Sequence, residues 1–215
     1  MIETQCGRTL AGQGRYIYPD GDVYEGQWLD DKAHGEGFHQ SKQSRYNGQW
    51  AMDLKHGYAT EDWDDGSKYT GQYHNGQKHG KGMFVWPEGS TFEGEFKHNS
   101  VDGVGTFTWK DGRKYVGQWV DNRMHGSGKF TWPDGRCYEG QYVNDLKEGE
   151  GCFNWPDGRK FTGQWKDARQ HGIGIFRTAS GFQRTGEWQS GIRVCWVDEA
   201  GTRQRFGVRG RARNR

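Results

Sequence analysis

A unit of 23 residues recurs along almost the whole chain, and this period constrains the fold more than any other feature of the sequence. The clearest copy, YVGQWVDNRMHGSGKFTWPDGRC, extends from Tyr115 to Cys137, and we number its positions from one to twenty-three. Other copies follow at intervals of 22 or 23 residues and begin at Tyr24, Tyr46, Tyr69, Phe92, Tyr138, Phe161 and Arg184. Such regular spacing is typical of stacked-repeat proteins, in which each copy packs mainly against its neighbours.

The alternation of side chains predicts two short strands in each copy. Positions one, three and five are aromatic, glycine and aromatic, as in YVGQW at Tyr115 to Trp119. Positions twelve, fourteen, sixteen and eighteen are Gly, Gly, Phe and Trp, as in GSGKFTW at Gly126 to Trp132. A period of two places these residues on one face of each strand, where the glycines leave slots for neighbouring rings.

A tight reversal is predicted at positions nineteen to twenty-one, which read PDG from Pro133 to Gly135. Asp-Gly supplies the positive φ angles of hairpin turns, and Pro is disfavoured in a central strand. We therefore predict an all-β fold, an elongated single-layer antiparallel meander of stacked hairpin repeats. Each repeat would advance about 10 Å along the sheet.

The composition indicates what such a sheet can bury. Leu, Ile, Val and Phe account for only 30 of 215 residues, which by itself would favour disorder, but the net charge is only +2. There are 32 aromatic residues against 19 Leu, Ile and Val. Burial must therefore come from large flat rings, and the 36 glycines allow rings and backbone to approach one another.

The repeat pattern divides the chain into four predicted segments. Residues 1–11 match nothing in the repeat, and residues 12–23 fill its second half only. Residues 24–198 form an eight-repeat array whose far end is closed by VCWV at Val194 to Val197. Residues 199–215 form a basic tail that we expect to be disordered. The first full repeat loses its second Trp and its Asp-Gly turn, as terminal repeats often do.

The YxGxW, HGxG and Asp-Gly elements at a period of 23 closely resemble the MORN (membrane occupation and recognition nexus) repeat, from about Gly12 to Val197. The resemblance implies a twisted, elongated sheet with an aromatic groove that can hold a partner peptide. Proteins similar to this occur in ciliary and flagellar spokes, in cytoskeletal scaffolds of protists, in junctional membrane proteins, and attached to phosphoinositide kinases and a lysine methyltransferase. The short chain looks most like the stand-alone scaffolds.

Histidines at position eleven suggest a metal stripe at first sight; they are His34, His56, His79, His125 and His171. Equivalent positions in this sheet would lie about 10 Å apart, whereas zinc ligands all lie about 2 Å from one ion. We therefore interpret these histidines as hydrogen-bonded turn residues. Asp102 and Glu148 occupy the same position, which fits a polar turn better than a ligand.

The sequence does not favour an enzyme. The glycine pairs lack a third glycine three residues later and open no predicted helix, so a phosphate-binding loop is not expected. The sequence contains no GxSxG or HExxH motif and no papain-like cysteine context. Carboxylates such as Asp20, Asp111 and Asp134 recur as turn residues. We therefore predict no catalytic residue, no metal and no cofactor.

The aromatic face is the predicted binding surface. Most rings must be structural, but a one-layer sheet leaves part of an apolar surface open, and open apolar stripes commonly mark partner sites. The predicted protein-binding residues are Tyr24, Trp28, Tyr46, Trp50, Tyr69, Tyr73, Phe96, Tyr115, Trp119, Tyr142 and Trp165. Such a groove would suit an amphipathic helix or an extended segment of another protein.

The basic residues are concentrated in the tail. Six arginines and no acidic residue follow residue 202, so the remainder has 24 basic and 28 acidic residues and a net charge of −4. The six are Arg203, Arg205, Arg209, Arg211, Arg213 and Arg215. They could contact acidic lipid headgroups, acidic tubulin tails or RNA, or simply be solvated. The acidic repeat body argues against nucleic acid as a partner.

These observations lead to a functional hypothesis and two alternatives. The first is a non-enzymatic scaffold that binds proteins, and self-associates, within a ciliary, flagellar or other cytoskeletal assembly. The second is a peripheral phosphoinositide-binding module that uses the tail and Lys78 to Lys81, and the third is the targeting part of a larger enzyme. The four cysteines show no framework spacing, and no apolar run could span a bilayer, which favours the cytoplasm.

Overall fold

A computed structural model describes residues 11–198 and 200–205, and every regular element in these ranges is a β-strand. The predicted N-terminal segment therefore lies outside the described residues except for Ala11, and so does most of the predicted tail. The chain forms two compact units. The first extends to Gly112 and includes Trp119–Asn122, and the second contains Arg113–Gln118 and resumes at Arg123.

Nine strands belong to the first unit. They are β1 (Gly12–Ile17), β2 (Val23–Leu29), β3 (Lys32–Gln40), β4 (Ser44–Ala51), β5 (Leu54–Trp63), β6 (Lys68–His74), β7 (Gln77–Val85), β8 (Thr91–Lys97) and β9 (Ser100–Thr108). Each strand pairs antiparallel with the next one along the chain. The predicted meander is therefore confirmed in this unit.

The second unit begins with β10 (Lys114–Val120), although the last residues of this strand group with the first unit. It continues with β11 (Arg123–Thr131), β12 (Cys137–Val143), β13 (Leu146–Asn154), β14 (Lys160–Lys166), β15 (Arg169–Arg177), β16 (Gln183–Gln189), β17 (Ile192–Val197) and β18 (Arg203–Arg205). Consecutive strands from β11 to β18 pair antiparallel. Within the tail predicted to be disordered, Arg203–Arg205 form β18, whose backbone pairs with β17, so the prediction is wrong for these three residues.

The register explains why the repeat needs its glycines. In the sixth repeat, Gly140 on β12 pairs with Gly151 on β13, and Tyr138 pairs with Phe153. A Cβ atom added at Gly151 would overlap the Tyr138 ring, and one added at Gly140 would lie 2.5 Å from the Cα of Gly151. The paired glycines thus admit the position-one ring between them, as the alternation predicted.

Two kinds of turn connect the strands. At the predicted Asp-Gly turn, Gly135 N–H donates to the Trp132 carbonyl at 3.0 Å and Arg136 N–H donates to Asp134 Oδ1 at 3.1 Å. The second turn, at positions seven and eight, has positive φ at both residues, for example 48° at Asn144 and 70° at Asp145. Two consecutive positive φ angles are typical of a type I′ turn. This second turn was not predicted from the sequence.

Side chains at positions four and eight accept hydrogen bonds from the backbone, the first within a repeat and the second between repeats. The position-four Gln118 accepts a hydrogen bond at its Oε1 from Ser127 N–H of the same repeat at 2.8 Å. The position-eight Asp145 accepts one at its Oδ1 from Met124 N–H of the preceding repeat, also at 2.8 Å. These bonds recur along the chain, so both positions stabilise the stack.

Candidate functional site

The rings at positions one and five form a buried layer, which we call the inner ring row. Neighbouring rings meet edge to face, with centroid separations such as 5.3 Å for Tyr138 and Tyr142 and 5.0 Å for Tyr138 and Trp165. This is a favoured geometry for aromatic pairs. Their polar atoms bond to the backbone, because Tyr138 Oη donates to the Gln141 carbonyl at 3.2 Å and Trp165 Nε1 donates to the Gly151 carbonyl at 3.1 Å.

All eleven predicted binding residues belong to this inner ring row. Ten of them are buried, namely Tyr24, Tyr46, Trp50, Tyr69, Tyr73, Phe96, Tyr115, Trp119, Tyr142 and Trp165. Trp28 is half-buried. The structure therefore gives these rings a structural role and little surface for a partner, and their part in binding stays a prediction.

A second layer of rings lies on the same face at positions sixteen and eighteen, and we call it the outer ring row. In the second unit it contains Phe130, Trp132, Phe153, Trp155 and Phe176, with consecutive centroids 4.4, 5.7, 4.6 and 6.2 Å apart. In the first unit it contains Trp63, Phe84, Trp86, Phe107 and Trp109, at 5.8, 4.6, 5.0 and 4.5 Å. The tryptophans are half-buried, so part of each ring is accessible.

The alternation of side chains predicts these rings on the aromatic face, but they are not among the predicted binding residues. The signal that could have found them is their position at the strand end, next to the Asp-Gly turn. There the neighbouring strands stop, so a large ring is covered on fewer sides than one at position one or five.

A lysine at position ten joins the rings in the sixth repeat. The Lys147 ammonium lies 5.1 to 5.4 Å from the ring centroids of Trp132, Tyr138, Phe153 and Trp165. Burial lowers the pKa of Lys147, and the nearby Arg136 lowers it further. Within the described residues, Lys147 makes no ion pair with a carboxylate, so the rings supply its stabilising contacts through cation–π attraction.

Lys78 in the first unit occupies the same position in its own repeat. Its ammonium lies 4.7 Å from the Trp63 centroid and 5.0 Å from that of Phe84, and burial lowers its pKa. The lipid-binding alternative used Lys78 as an exposed basic residue. The structure contradicts that use, because the side chain is turned onto the rings, whereas Lys81 is exposed.

The first full repeat lacks the outer rings, and a cleft of about 780 Å³ lies in their place. Position sixteen is His39 and position eighteen is Ser41, where other repeats carry Phe and Trp. Position ten is Ala33, which is too small to fill the space. The aromatic walls are Tyr16, Tyr18, Trp28 and Trp50, and the polar lining includes Asp31, Asp53 and Lys55.

Acidic groups dominate this cleft. Lys55 is already paired with the buried carboxylate of Glu61 at 2.5 Å, and Asp22 lies 3.6 Å from His39 Nε2. Burial lowers the pKa of His39 more than Asp22 raises it. Burial and the charge of Asp53 raise the pKa of Tyr18. Within the described residues, Asp53 makes no ion pair with a cation of the lining.

Three of the position-eleven histidines differ from the prediction at one ring nitrogen. The Nδ1 atoms of His34, His56 and His125 are buried and have no hydrogen-bond partner within the described residues. The predicted hydrogen bond is therefore wrong for these three Nδ1 atoms. In the described ranges, no group of three or more His, Cys, Asp and Glu residues is placed to hold a metal ion.

Two further findings concern the membrane and the thiols. No helix in the part of the chain that the structure describes is long and apolar enough to cross a bilayer. Cys137, Cys152 and Cys195 are free thiols, and burial raises the pKa of Cys137.

Several solved structures show a distant likeness to this chain. The TCP10 domain of Danio rerio CPAP has a TM-score of 0.49 and 11% identity, covering 86% of this chain and 89% of that domain. The Drosophila melanogaster SAS-4 (dCPAP) TCP domain, in complex with a proline-rich motif of Ana2, has a TM-score of 0.43 and 12% identity, covering 74% of this chain and 92% of that one. TM-scores this low carry no conclusion for this chain. No curated protein sequence matches it.

The sequence match to a family is extensive. The model of the MORN repeat matches residues 10–23, 24–42, 46–68, 69–91, 92–112, 115–135, 138–158 and 161–182. These eight consecutive matches follow the predicted repeats up to the one that begins at Arg184, which is not matched. They cover well over half of the 215 residues. The chain therefore belongs to the MORN repeat family.

Proposed function

We propose that this MORN protein is a non-enzymatic scaffold that binds a segment of another protein along its outer ring row, within a cytoskeletal assembly such as a cilium or flagellum. The observation that carries the proposal is the row of half-buried tryptophans in each unit, which are packed against the phenylalanines of the same row. The cytoskeletal setting rests on the occurrence of MORN arrays in such assemblies.

The chemistry of the row describes the partner. Trp132 and Trp155 offer accessible ring surface, and exposed aromatic rings are frequent anchors of protein interfaces. Lys147 adds a cation that no carboxylate of the described residues pairs with. An extended or helical segment with apolar side chains and one carboxylate would satisfy both features, because the carboxylate would pair with Lys147 in a site that is partly shielded from water.

The test is detergent extraction of the tagged protein from its own cells, followed by fractionation. Trp132→Ala and Trp155→Ala together should release the protein from the insoluble cytoskeletal fraction. Ile175→Ala is the matched control, since Ile175 is exposed on β15 beside the buried Gly174, on the opposite face of the strand. Circular dichroism would verify that each variant remains folded.

The outcomes separate the hypotheses. Retention of the wild type and of Ile175→Ala, with release of the double tryptophan variant, supports the scaffold. Equal retention of all three proteins would contradict a role for the outer ring row. Release with membrane lipids, dependent on residues 203–215, would instead support the phosphoinositide-binding alternative.

A further inference from the structure

The cleft in the first full repeat combines aromatic walls with carboxylates, and this combination selects cations. The ring centroids of Tyr16 and Tyr18 are 4.8 Å apart, and those of Tyr16 and Trp28 are 6.2 Å apart. Aromatic faces attract cationic groups, and desolvation in a partly enclosed cleft strengthens that attraction. The cleft thus has a different chemistry from the outer ring row of the sixth repeat, where Lys147 already supplies the cation.

The carboxylate of Asp53 is held in place within this cleft. Its Oδ1 atom accepts a hydrogen bond from Ala33 N–H at 2.8 Å, and the position-eight turn fixes the backbone of Asp53 at a φ of 70°. A carboxylate has about four lone-pair sites, so this bond leaves most of its accepting capacity. The negative charge of Asp53 acts on Tyr18, because it adds to the effect of burial in raising the pKa of that phenol.

An arginine side chain fits these walls better than a lysine. The guanidinium is planar, stacks on aromatic rings and can form two parallel hydrogen bonds to a carboxylate, whereas an ammonium acts as a point charge. A volume of about 780 Å³ accommodates the side chain with part of its flanking backbone.

The chain itself carries a segment with this chemistry. Residues 206–215 read FGVRGRARNR and contain four arginines and no acidic residue, whereas residues 1–202 have a net charge of 24 − 28 = −4. We propose that the cleft binds an arginine side chain from residues 206–215 of a second copy of the chain. The interaction would link copies through a site separate from the outer ring row, and so it goes beyond the proposed scaffold function.

The first experiment measures binding of a labelled peptide of residues 206–215 to the full chain. The receptor carries Gln in place of Arg209, Arg211, Arg213 and Arg215, so that its own segment cannot compete. We expect saturable binding of one peptide per chain, weakened as the salt concentration rises. A peptide with all four arginines replaced by Gln should not bind.

Two variants of the receptor make the test specific. Asp53→Asn keeps the Oδ1 acceptor for Ala33 N–H but removes the charge, and it should weaken binding about fivefold or more. Asp145→Asn is the matched control, because Asp145 occupies the same position and accepts a bond of the same length from Met124 N–H, but it does not line the cleft. This control should bind like the parent receptor.

A third variant changes an exposed wall of the cleft, so that weaker binding cannot be attributed to misfolding. Tyr16 is 44% exposed, so Tyr16→Ser should leave the fold intact and still weaken the peptide. Equal affinities of the parent, Asp53→Asn and Tyr16→Ser receptors would overturn the proposal.

Analytical ultracentrifugation then tests whether the occupant is a second copy. The unmodified chain should self-associate with rising concentration, and both Asp53→Asn and the four Arg→Gln changes should abolish this. If the peptide binds at the cleft but the unmodified chain stays monomeric, the second copy is excluded as the source. None of these results depends on Trp132 or Trp155, so failure here is distinct from failure of the proposed function.

Discussion

The first and sixth repeats share a backbone design but present different surfaces. In the first, Gly26 pairs with Gly37 and Trp28 with Ala33; in the sixth, the corresponding pairs are Gly140 with Gly151 and Tyr142 with Lys147. Their position-one tyrosines are both fully buried. The inner ring row and its glycines are therefore common to both repeats.

The difference lies at positions ten, sixteen and eighteen. The sixth repeat has Lys147, Phe153 and Trp155, which cover the face with rings around a cation. The first has smaller or more polar residues there, and a cleft with acidic lining results. The inner positions therefore build the sheet, whereas the outer positions vary and determine which surface each repeat presents.

The largest expected effect on stability comes from replacing the position-fourteen glycine, which makes room for the position-one ring in both repeats. Gly37→Ala and Gly151→Ala each place a methyl group in the ring of the position-one tyrosine, Tyr24 or Tyr138. We expect each change to lower the free energy of unfolding by about 3 kcal/mol, the upper end of the usual range for overpacked cores. Urea denaturation followed by circular dichroism measures the loss.

Glu150→Ala provides a control for the glycine changes, because Glu150 is exposed beside Gly151 and its side chain is not packed in the ring slot. It should change the free energy of unfolding by less than about 0.5 kcal/mol. If Gly37→Ala proved harmless while Gly151→Ala did not, the first repeat would not share the packing of the sixth.

Much of the shared design could be predicted from the sequence. The period of 23, the alternation of ring and glycine, and the Asp-Gly turn indicated hairpins in a meander. Each of these is a local pattern, and local patterns determine strands and turns directly. The slots for position-one rings also followed from alternation. The type I′ turn was missed although most of its residues are Asn or Asp, such as Asn144 and Asp145, which tolerate positive φ; Ala168, at a φ of 61°, gives no such signal.

The candidate site was harder to predict, since it depends on packing between repeats. The alternation predicted the face on which each ring lies but not how exposed the ring is. Trp165 was therefore predicted to bind although it is buried, whereas the half-buried Trp155 was not. The irregularity between Gly140 and Tyr142 places Lys147 opposite Tyr142 and brings its ammonium over the rings. Period-two counting along β13 alone does not reveal this contact.

An intermediate effect is expected when the first repeat receives the position-ten lysine of the sixth repeat. Ala33→Lys should supply the cleft with its own ammonium, so we expect the affinity for the peptide of residues 206–215 to fall about tenfold. Ala33 borders the cleft but is only 2% exposed, so the larger side chain should also lower the free energy of unfolding, by about 1–2 kcal/mol. Fluorescence titration and urea denaturation measure the two quantities.

The reciprocal change removes the cation from the sixth repeat. Lys147→Ala should lower the free energy of unfolding by about 1 kcal/mol through lost ring contacts. Lys147→Met is the control that keeps an apolar side chain of similar length, and it separates packing from charge. If both variants lost equal stability, the charge and not the packing of Lys147 would be the stabilising feature.

The smallest expected effect concerns the tyrosine hydroxyls of the shared inner row. Burial raises the pKa of Tyr24 from its ordinary 10.0 to about 12. The folded state therefore retains the phenolic proton where the unfolded chain has lost it. The stability that this tyrosine contributes is fully present below pH 10 and is lost as the pH rises toward about 12.

The difference in free energy of unfolding between Tyr24→Phe and the wild type should consequently change sign across this pH window. At neutral pH the variant lacks the hydrogen bond from Tyr24 Oη to the Gln27 carbonyl, found at 2.9 Å, a loss of about 1 kcal/mol. Above pH 10 it is spared the ionisation that favours unfolding of the wild type, so the deficit should shrink and then reverse. Denaturation at neutral pH and between pH 10 and 12, together with tyrosinate absorbance, tests this. Tyr138→Phe in the sixth repeat should behave in the same way, since burial raises the pKa of Tyr138 too. If the deficit in free energy of unfolding stayed constant with pH in both variants, the inner ring row would not be holding these phenols neutral.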